Sequence, residues 1–434
     1  MKIFIQEIKK ILRPVPLLAL TALVGLYSFA YFRDLFYIYP RETVFADLVE
    51  IVGPKVNPDN PQELMDAVIS LEERYHKQFE EEIKTIPGYV NAGITNHDEY
   101  YELLQKRGNL YLQQEIEEYG FTYEEFDMDA DYTLTPREEA FFERGVMWSA
   151  PSLEKINIID DLLRQVEYFV EAGTFNRFER FYDIDNPDYV YDYAADLRDW
   201  WGIDPAGIER IREIYSSGEI LNILPEVYPG YVFYHLIVII LATVFILLAP
   251  VVTKDNMSGV RGLQYSSKTG RKTLAIQLAA ILFSAFVLVA VQVTVVFGIY
   301  LSYGWSAFAN SGLHSVFKFQ SYNWFSGTYL QYFILVGLLF LVVSLAITLF
   351  IFIFSKLSRN YITLLLSTVP TVIVIFAFSM NLFRDPFAVL ASDGFTFYRM
   401  FPIPFVEVYI CVAMLIFAAI PAVVMLVKQR RAEI

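Results

Sequence analysis

Six long apolar runs, separated by polar segments, constrain the fold of this chain more than any other feature of its sequence. The shortest run, 14–32, has 19 residues and would span roughly 28 Å as a helix, close to the thickness of the hydrocarbon core of a bilayer. Hydrophobic residues make up 55% of the chain, and their concentration in these runs argues against a single soluble domain. The runs predict transmembrane helices at 14–32, 232–252, 274–300, 329–354, 361–382 and 406–427.

The charges divide the chain into one acidic block and several basic segments. Residues 33–231 hold 43 of the 49 acidic residues but only 17 of the 34 basic ones, so this block has a net charge of −26. Most of the other basic residues lie in short segments beside the apolar runs, and such segments usually remain in the cytoplasm. We therefore expect a multi-pass protein of the plasma membrane, with both termini cytoplasmic and residues 33–231 outside. The basic segments are 1–13, 253–273, 355–360 and 428–434.

The first run has an alternative interpretation. It follows a basic segment, and Ser28 and Ala30 resemble the small residues of a signal-peptide cleavage site. The length of the run and the aromatic residues around its end favour a retained membrane anchor instead. Within 1–13, apolar residues recur at helical spacing, which predicts an amphipathic helix lying on the inner membrane face.

Residues 33–231 show the three- and four-residue apolar spacing of amphipathic helices and almost no strand-like alternation. The only cysteine, Cys411, lies in the last apolar run, so an ordinary core must hold this block together. We predict an all-α extracytoplasmic domain whose aromatic residues fill that core, with sugar or peptide binding as the alternative role for them. The expected helices are 61–84, 97–119, 136–147, 152–172, 187–201 and 205–217, with Asn60, Thr135 and Ser152 as caps.

One acidic segment of this block resembles a calcium-binding EF-hand loop. Asp127, Asp129, Asp131 and Glu138 stand at positions 1, 3, 5 and 12 of such a loop, where they could surround Ca²⁺. Tyr132 stands at the sixth position, where the loop requires glycine for a sharp turn. The alternative is structural, because Glu138 could instead form a capping box with the threonine three residues before it.

The apolar centres of the six runs contain no ionisable residue. Glu407 and His235 lie near run ends, where we expect them to reach the membrane interface, and this disfavours transport driven by protons or sodium ions. Several mildly polar residues could either line a translocation pathway or join helices by hydrogen bonds. The pathway-lining candidates are Gln277, Ser284, Gln292, Thr348 and Thr371.

The sequence contains no convincing catalytic motif. Residues 262–269 resemble a phosphate-binding loop, but Ser267 replaces its second glycine and the segment follows an apolar run instead of a buried strand. The four histidines form no metal-binding pair, and none lies beside a plausible nucleophile. We expect neither an enzyme nor a cofactor on this chain itself, and no nucleic-acid partner.

The loop between the second and third runs carries a motif of about 17 residues. An acidic residue, a glycine, a leucine-bearing helix and an arginine occur in the order and spacing of the equivalent cytoplasmic loop of ABC-2-type permeases, which it resembles. Three positions depart from that pattern, with Met257 in place of a second acidic residue, Lys268 in place of a proline and Gly270 in place of a serine. The residues that carry the likeness are Asp255, Gly259, Leu263 and Arg271.

The arrangement of the whole chain is also similar to the sodium-efflux and lantibiotic-immunity branch of these bacterial ABC exporter permeases. The resemblance implies that the loop docks onto a separate ATPase dimer, which binds ATP and Mg²⁺. It also implies a second permease copy or a related permease in the membrane lipid, and partly re-entrant helices within 383–405. The substrate would be amphipathic, resembling a peptide, a lipid or a drug. The implied ATPase-coupling residues are Asp255, Gly259, Arg261, Leu263, Lys268 and Arg271.

A non-transporting membrane sensor or scaffold, whose outer domain binds a ligand or partner, is the alternative function. An integral-membrane enzyme ranks third, because the sequence shows no cluster of polar residues at one membrane depth. A neighbouring gene for an ATPase would separate the transporter from the sensor.

Overall fold

The computed structural model describes two compact units. The smaller unit is Tyr39–Phe175, and the larger combines Met1–Ile38 with Asn176–Ile434. Both are predominantly helical where the structure describes them, as the sequence predicts. The described residues are 2–31, 40–57, 60–119, 132–143, 150–172, 181–183, 186–191, 193–215, 227–257, 273–302, 305–313, 322–390 and 396–431.

The smaller unit is built from helices that begin at proline or at a short polar turn. Proline fits the first helical position because the missing N–H has no partner there in any case. The predicted helices 61–84 and 97–119 are confirmed. The helix predicted at 205–217 belongs to the larger unit and begins at Pro205, as expected. The helices of the smaller unit are α3 (Pro40–Val52), α4 (Pro61–Ile83), α5 (Pro87–Ala92), α6 (His97–Tyr119), α7 (Pro136–Glu143) and α8 (Pro151–Ala172).

Aromatic side chains form the core of the smaller unit, as predicted. Phe79 of α4, Tyr89 of α5, Tyr100 of α6 and Phe141 of α7 are buried. Their rings meet mostly edge to face, with centroids 5.0 Å apart for Tyr89 and Phe141 and 5.4 Å apart for Phe79 and Tyr100. Such contacts add about 0.5–1.5 kcal/mol per pair beyond the burial of apolar area. These four aromatic residues therefore belong to the core.

Two of the three predicted caps differ from expectation. Asn60 precedes α4, but its side chain makes no capping hydrogen bond. Ser152 lies inside α8, because the helix already begins at Pro151. Instead of capping, Ser152 donates from its backbone N and its Oγ to Oε2 of Glu82, at 3.0 and 2.6 Å. This pair of hydrogen bonds joins α8 to α4.

The larger unit contains all the long apolar helices that the structure describes. Among the described residues, five helices are long and apolar enough to cross a membrane, and the number becomes six if α1 and α2, which are bent by 48°, count as one span. The predicted runs are confirmed as helices to within a few residues, so the chain is a multi-span helical membrane protein. These helices are α1 (Lys2–Ile11), α2 (Pro14–Tyr31), α11 (Val227–Met257), α12 (Thr273–Ser302), α13 (Tyr329–Leu357), α14 (Tyr361–Leu382) and α16 (Val406–Arg431).

Helix α13 lies at the centre of this unit and contacts α11, α12, α14 and α16. Side chains such as Phe340 and Ile347 on α13 are fully buried among these neighbours. Helices α14 and α16 leave most of their apolar surface uncovered, with Leu366 and Phe417 each 73% exposed. Apolar side chains of this kind face lipid in a membrane protein, where they need no protein partner.

Four short strands in the part of the chain that the structure describes depart from the all-α prediction. Strand β1 (Phe181–Asp183) pairs antiparallel with β2 (Asn186–Tyr191), and β3 (Tyr322–Asn323) pairs antiparallel with β4 (Ala388–Leu390). The helix predicted over 187–201 is therefore wrong in its first part, and α9 (Tyr193–Asp199) occupies only the remainder. Tyr189, Val190 and Tyr191 are aromatic and β-branched residues, which favour a strand over a helix.

Helices α9 and α10 (Pro205–Tyr215) dock onto the segment between α14 and α16. Leu197, Ile203 and Ile211 form a buried cluster with Val389 of β4 and with Tyr398 of α15 (Phe397–Met400). The hydroxyl of Tyr398 donates to Oδ1 of Asp204 at 2.5 Å. The described part of the predicted re-entrant segment 383–405 thus contains a strand and a one-turn helix that hold the α9–α10 pair.

Candidate functional site

Four polar side chains meet where α1, α11 and α12 come together. The Nζ atom of Lys10 lies 2.7 Å from Oε1 of Glu7 and 3.2 Å from Oδ2 of Asp255. The amide of Gln277 donates to the same two carboxylates, at 3.3 Å to Glu7 and 2.9 Å to Asp255. The ammonium group of Lys10 and the amide of Gln277 therefore each contact both carboxylates. We call these residues (Glu7, Lys10, Asp255 and Gln277) the elbow cluster.

The helical spacing of α1 explains how Glu7 reaches this cluster. Ile3, Phe4, Ile8 and Ile11 form the apolar stripe of α1, and Glu7 lies within that stripe at helical spacing. The residue is only 3% exposed, whereas the polar face of the helix remains open. A buried carboxylate requires charged or hydrogen-bonding partners to offset the loss of its hydration, and the elbow cluster supplies them.

The same end of α11 is also joined to α13. Ser355 of α13 donates through Oγ to the carbonyl oxygen of Ala249 at 3.0 Å. In return, Thr253 of α11 donates to the carbonyl oxygen of Ser355 at 3.4 Å. The last turns of α11 are thus held by α1, α12 and α13.

Among the predicted ATPase-coupling residues, the structure describes Asp255 and places it in the elbow cluster. The other five, Gly259, Arg261, Leu263, Lys268 and Arg271, lie outside the described residues. Sequence reasoning missed Glu7 and Lys10. The available signal was an acidic residue on the apolar stripe of an amphipathic helix, because a charge in that position predicts a buried partner.

The five pathway-lining candidates have different surroundings. Gln277 belongs to the elbow cluster, whereas Gln292 donates to Oγ1 of Thr243 at 2.5 Å and so joins α12 to α11. Ser284 is buried, and its Oγ has no hydrogen-bond partner. Thr348 and Thr371 donate to carbonyl oxygens of their own helices, at 2.7 and 3.1 Å. The two glutamines thus connect helices, as polar residues in membrane proteins commonly do.

Glu407 and His235, which we expected to reach the membrane interface, are both buried within the protein. Glu407 is 2% exposed and His235 is 4% exposed, because the protein itself encloses both side chains. Nδ1 of His235 lies 2.7 Å from the hydroxyl of Tyr27, which joins α11 to α2. Glu407 accepts a hydrogen bond from the backbone N–H of Phe387, while its Oε2 has no hydrogen-bond partner. An ionisable group is therefore buried within the candidate span Val406–Lys428.

The structure describes only one member of the candidate calcium loop. Glu138 and Thr135 form the predicted capping box, with Thr135 N donating to Glu138 at 2.6 Å and Glu138 N donating to Thr135 Oγ1 at 3.4 Å. Lys106 of α6 also lies 3.1 Å from the Glu138 carboxylate. The other three members, Asp127, Asp129 and Asp131, lie outside the described residues. Among the residues that the structure does describe, no group of three or more His, Cys, Asp or Glu side chains could hold a metal ion.

A pair of histidines lies within the smaller unit. The rings of His76 and His97 meet edge to face with centroids 3.9 Å apart, and the buried Nε2 of His97 has no hydrogen-bond partner. The ring of Tyr101 lies tilted against that of His97, with centroids 4.3 Å apart, and its hydroxyl donates to Asp160 at 3.4 Å. Burial, with repulsion from His76, lowers the pKa of His97 to about 4, so the ring is neutral at physiological pH.

Comparison with family models, with curated proteins and with solved structures found no match in any of the three. The likeness to ABC-2-type permeases therefore rests on the motif and the arrangement of this chain alone.

Proposed function

We propose that this chain is the membrane-spanning permease subunit of an ATP-driven transporter. In this proposal, residues 253–273 face the cytoplasm and dock onto a separate ATPase dimer that carries the nucleotide and Mg²⁺. A second permease copy, or a related chain, completes the pathway. The substrate is an amphipathic molecule of peptide, lipid or drug character, which the transporter exports.

The elbow cluster is the observation that most supports this proposal. It joins Asp255, three residues before the undescribed part of the loop, to α1 and α12. Together with the Ser355 contacts to α11, it gives a route by which a partner pulling on the loop would tilt several helices at once. A permease whose helices are moved by a separate ATPase needs such a route. A protein that only anchors a domain in the membrane does not.

Charge also supports the proposal. The loop 253–273 carries five basic residues and one acidic residue, which suits an acidic groove on a partner. The sequence itself contains no acceptable nucleotide-binding motif, and the proposal therefore assigns the energy source to another chain. The buried carboxyl of Glu407 weakens the separate argument against ion coupling, and the proposal does not depend on that argument.

Charge reversal in the loop tests the proposal. We expect the double variant Arg261→Glu, Arg271→Glu to lose association with the ATPase by on the order of 100-fold, because two repulsive contacts at a matched surface cost about 3 kcal/mol. The matched control is Arg359→Glu, Lys428→Glu, which reverses two exposed basic residues of the other basic segments. Association would be measured by co-purification of the full chain with ATPases of its own cell, followed by quantitative binding.

A functional arm uses vesicles that contain the chain and the co-purified ATPase. ATP hydrolysis would be measured with and without an added amphipathic peptide, which should stimulate the wild type and the control but not the loop variant. If no ATPase associates with the wild-type chain, the transporter proposal fails. The sensor or scaffold function would then replace it.

A further inference from the structure

Two segments of the larger unit expose large apolar side chains side by side in the fold. Trp200 is 83% exposed and Trp201 is 36% exposed, in the turn between α9 and α10. Met400, Phe401 and Ile403, which lie between α15 and α16, are 59%, 50% and 50% exposed. Exposed apolar groups of this size, when they lie close together, mark a surface with a partner. We call these five residues the tryptophan surface.

Contacts within the unit bring the two segments together. A Cβ atom on Gly202 would lie 3.8 Å from Nη2 of Arg399, so the residue after Trp201 contacts the residue before Met400. Ile203 and Tyr398 share the buried cluster described above. The tryptophan surface is therefore supported from below by a packed core, which fixes its position relative to the membrane helices.

The depth of this surface follows from a ring contact inside a candidate span. Phe397 of α15 meets Phe378 of α14 with ring centroids 5.3 Å apart. Phe378 lies one turn before the end of the span Tyr361–Leu382, and the next span begins at Val406, three residues after Ile403. The segment 397–403 therefore lies level with the ends of two spans, which is the level of the lipid headgroups.

We propose that the tryptophan surface is a lipid-binding surface, which anchors the α9–α10 pair in the headgroup region of the membrane. Tryptophan is enriched at this depth because its ring is apolar while its indole N–H can donate to headgroup or water oxygens. The anchor would hold the chain segment that enters α11 against the membrane. It does not depend on which side of the membrane the smaller unit lies, nor on the transporter proposal.

The charges of the α9–α10 pair indicate which lipid chemistry is recognised. Arg198 pairs with Asp199 at 2.8 Å, and Arg212 pairs with Glu209 at 2.8 Å. Residues 193–215 contain three basic and five acidic residues, so they offer no net positive charge to anionic lipids. The tryptophan surface therefore binds the headgroup region through apolar contacts and indole hydrogen bonds. Zwitterionic lipid is sufficient for this binding.

Tryptophan fluorescence of the full chain in vesicles tests this inference. The chain has five tryptophans, so the signal of interest is the difference between the wild type and the variant Trp200→Phe, Trp201→Phe. Vesicles of zwitterionic phosphatidylcholine would carry bromine either high or deep on the acyl chains. We expect bromines high on the acyl chains to quench the difference signal more strongly than deep ones. The extent of quenching should be the same with and without added anionic phosphatidylglycerol.

Three results would overturn the inference. Full quenching of the difference signal by aqueous acrylamide, with none by brominated lipid, would place the tryptophans in water. Protection from both quenchers would indicate a protein partner or a second copy. Quenching that appears only with anionic lipid would contradict the charge argument. The single variant Trp200→Phe, which changes the most exposed side chain, repeats the test if the double variant folds poorly.

Discussion

His97 has a buried Nε2 atom without a hydrogen-bond partner and an edge-to-face contact with a second histidine. Its pKa of about 4 lies below the ordinary value of 6.5, so the folded state binds this proton less readily than the unfolded state does. The neutral His97 ring therefore makes its full contribution to the free energy of unfolding above pH 6.5. That contribution declines as the pH falls towards 4 and changes no further below it.

We therefore expect acid to destabilise the smaller unit through His97 between pH 6.5 and 4. Because the ring is only half buried, water screens part of the effect, and the loss should be on the order of 1–2 kcal/mol. The measurement is the pH dependence of unfolding for the full chain in detergent, for the wild type and for His97→Phe. Burial raises the pKa of Asp160, so only the difference between the two proteins isolates His97. Identical pH profiles would contradict the assignment.

At the scale of elements, the start of α7 separates the calcium hypothesis from the structural alternative. The capping box of Thr135 and Glu138 accounts for Glu138 without a metal. If Glu138 also binds Ca²⁺ with Asp127, Asp129 and Asp131, the melting temperature of the full chain should rise with Ca²⁺. The gain in free energy of unfolding is about 2.7 kcal/mol at a free Ca²⁺ concentration 100-fold above Kd.

Two substitutions distinguish the outcomes of the calcium experiment. Glu138→Gln should abolish the response to Ca²⁺, since a neutral amide cannot supply the charged bidentate ligand. Lys106→Met should keep or strengthen the response, because it removes the cation that competes for the Glu138 carboxylate at 3.1 Å. A melting temperature of the wild type that does not change at millimolar Ca²⁺ would leave the capping box as the role of Glu138.

The elements also show where sequence patterns are sufficient. Each long apolar run became a helix because lipid offers no partner for backbone groups, so length and hydropathy alone determine the result. Strand β2 was missed, since six residues around Tyr189 and Val190 are too few to show a clear period. The burial of Glu407 and His235 was missed because their partners, Phe387 and Tyr27, are distant in sequence. The elbow cluster depends likewise on residues from three separate helices.

At the scale of the whole molecule, the charge asymmetry predicts which side of the membrane each part occupies. Cysteine introduced at Asp98, an exposed position of α6, should react with an impermeant thiol reagent in intact cells. Cysteine at Ser267 or at Glu433 should react only after the cells are opened. The background is low, because the single native cysteine, Cys411, is buried and can be replaced. Labelling at Ser267 in intact cells would reverse the orientation.

The elbow cluster also has a consequence for biosynthesis. Lys10 emerges from the ribosome 245 residues before its partner Asp255. At roughly 5–20 residues per second, α1 exists for on the order of 10–50 s before α11 and α12 have been made. During that interval Glu7 lacks Gln277, and Lys10 lacks Asp255. Helix α1 is thus synthesised well before the two helices that bind it, and its docking reports that insertion of α12 is complete.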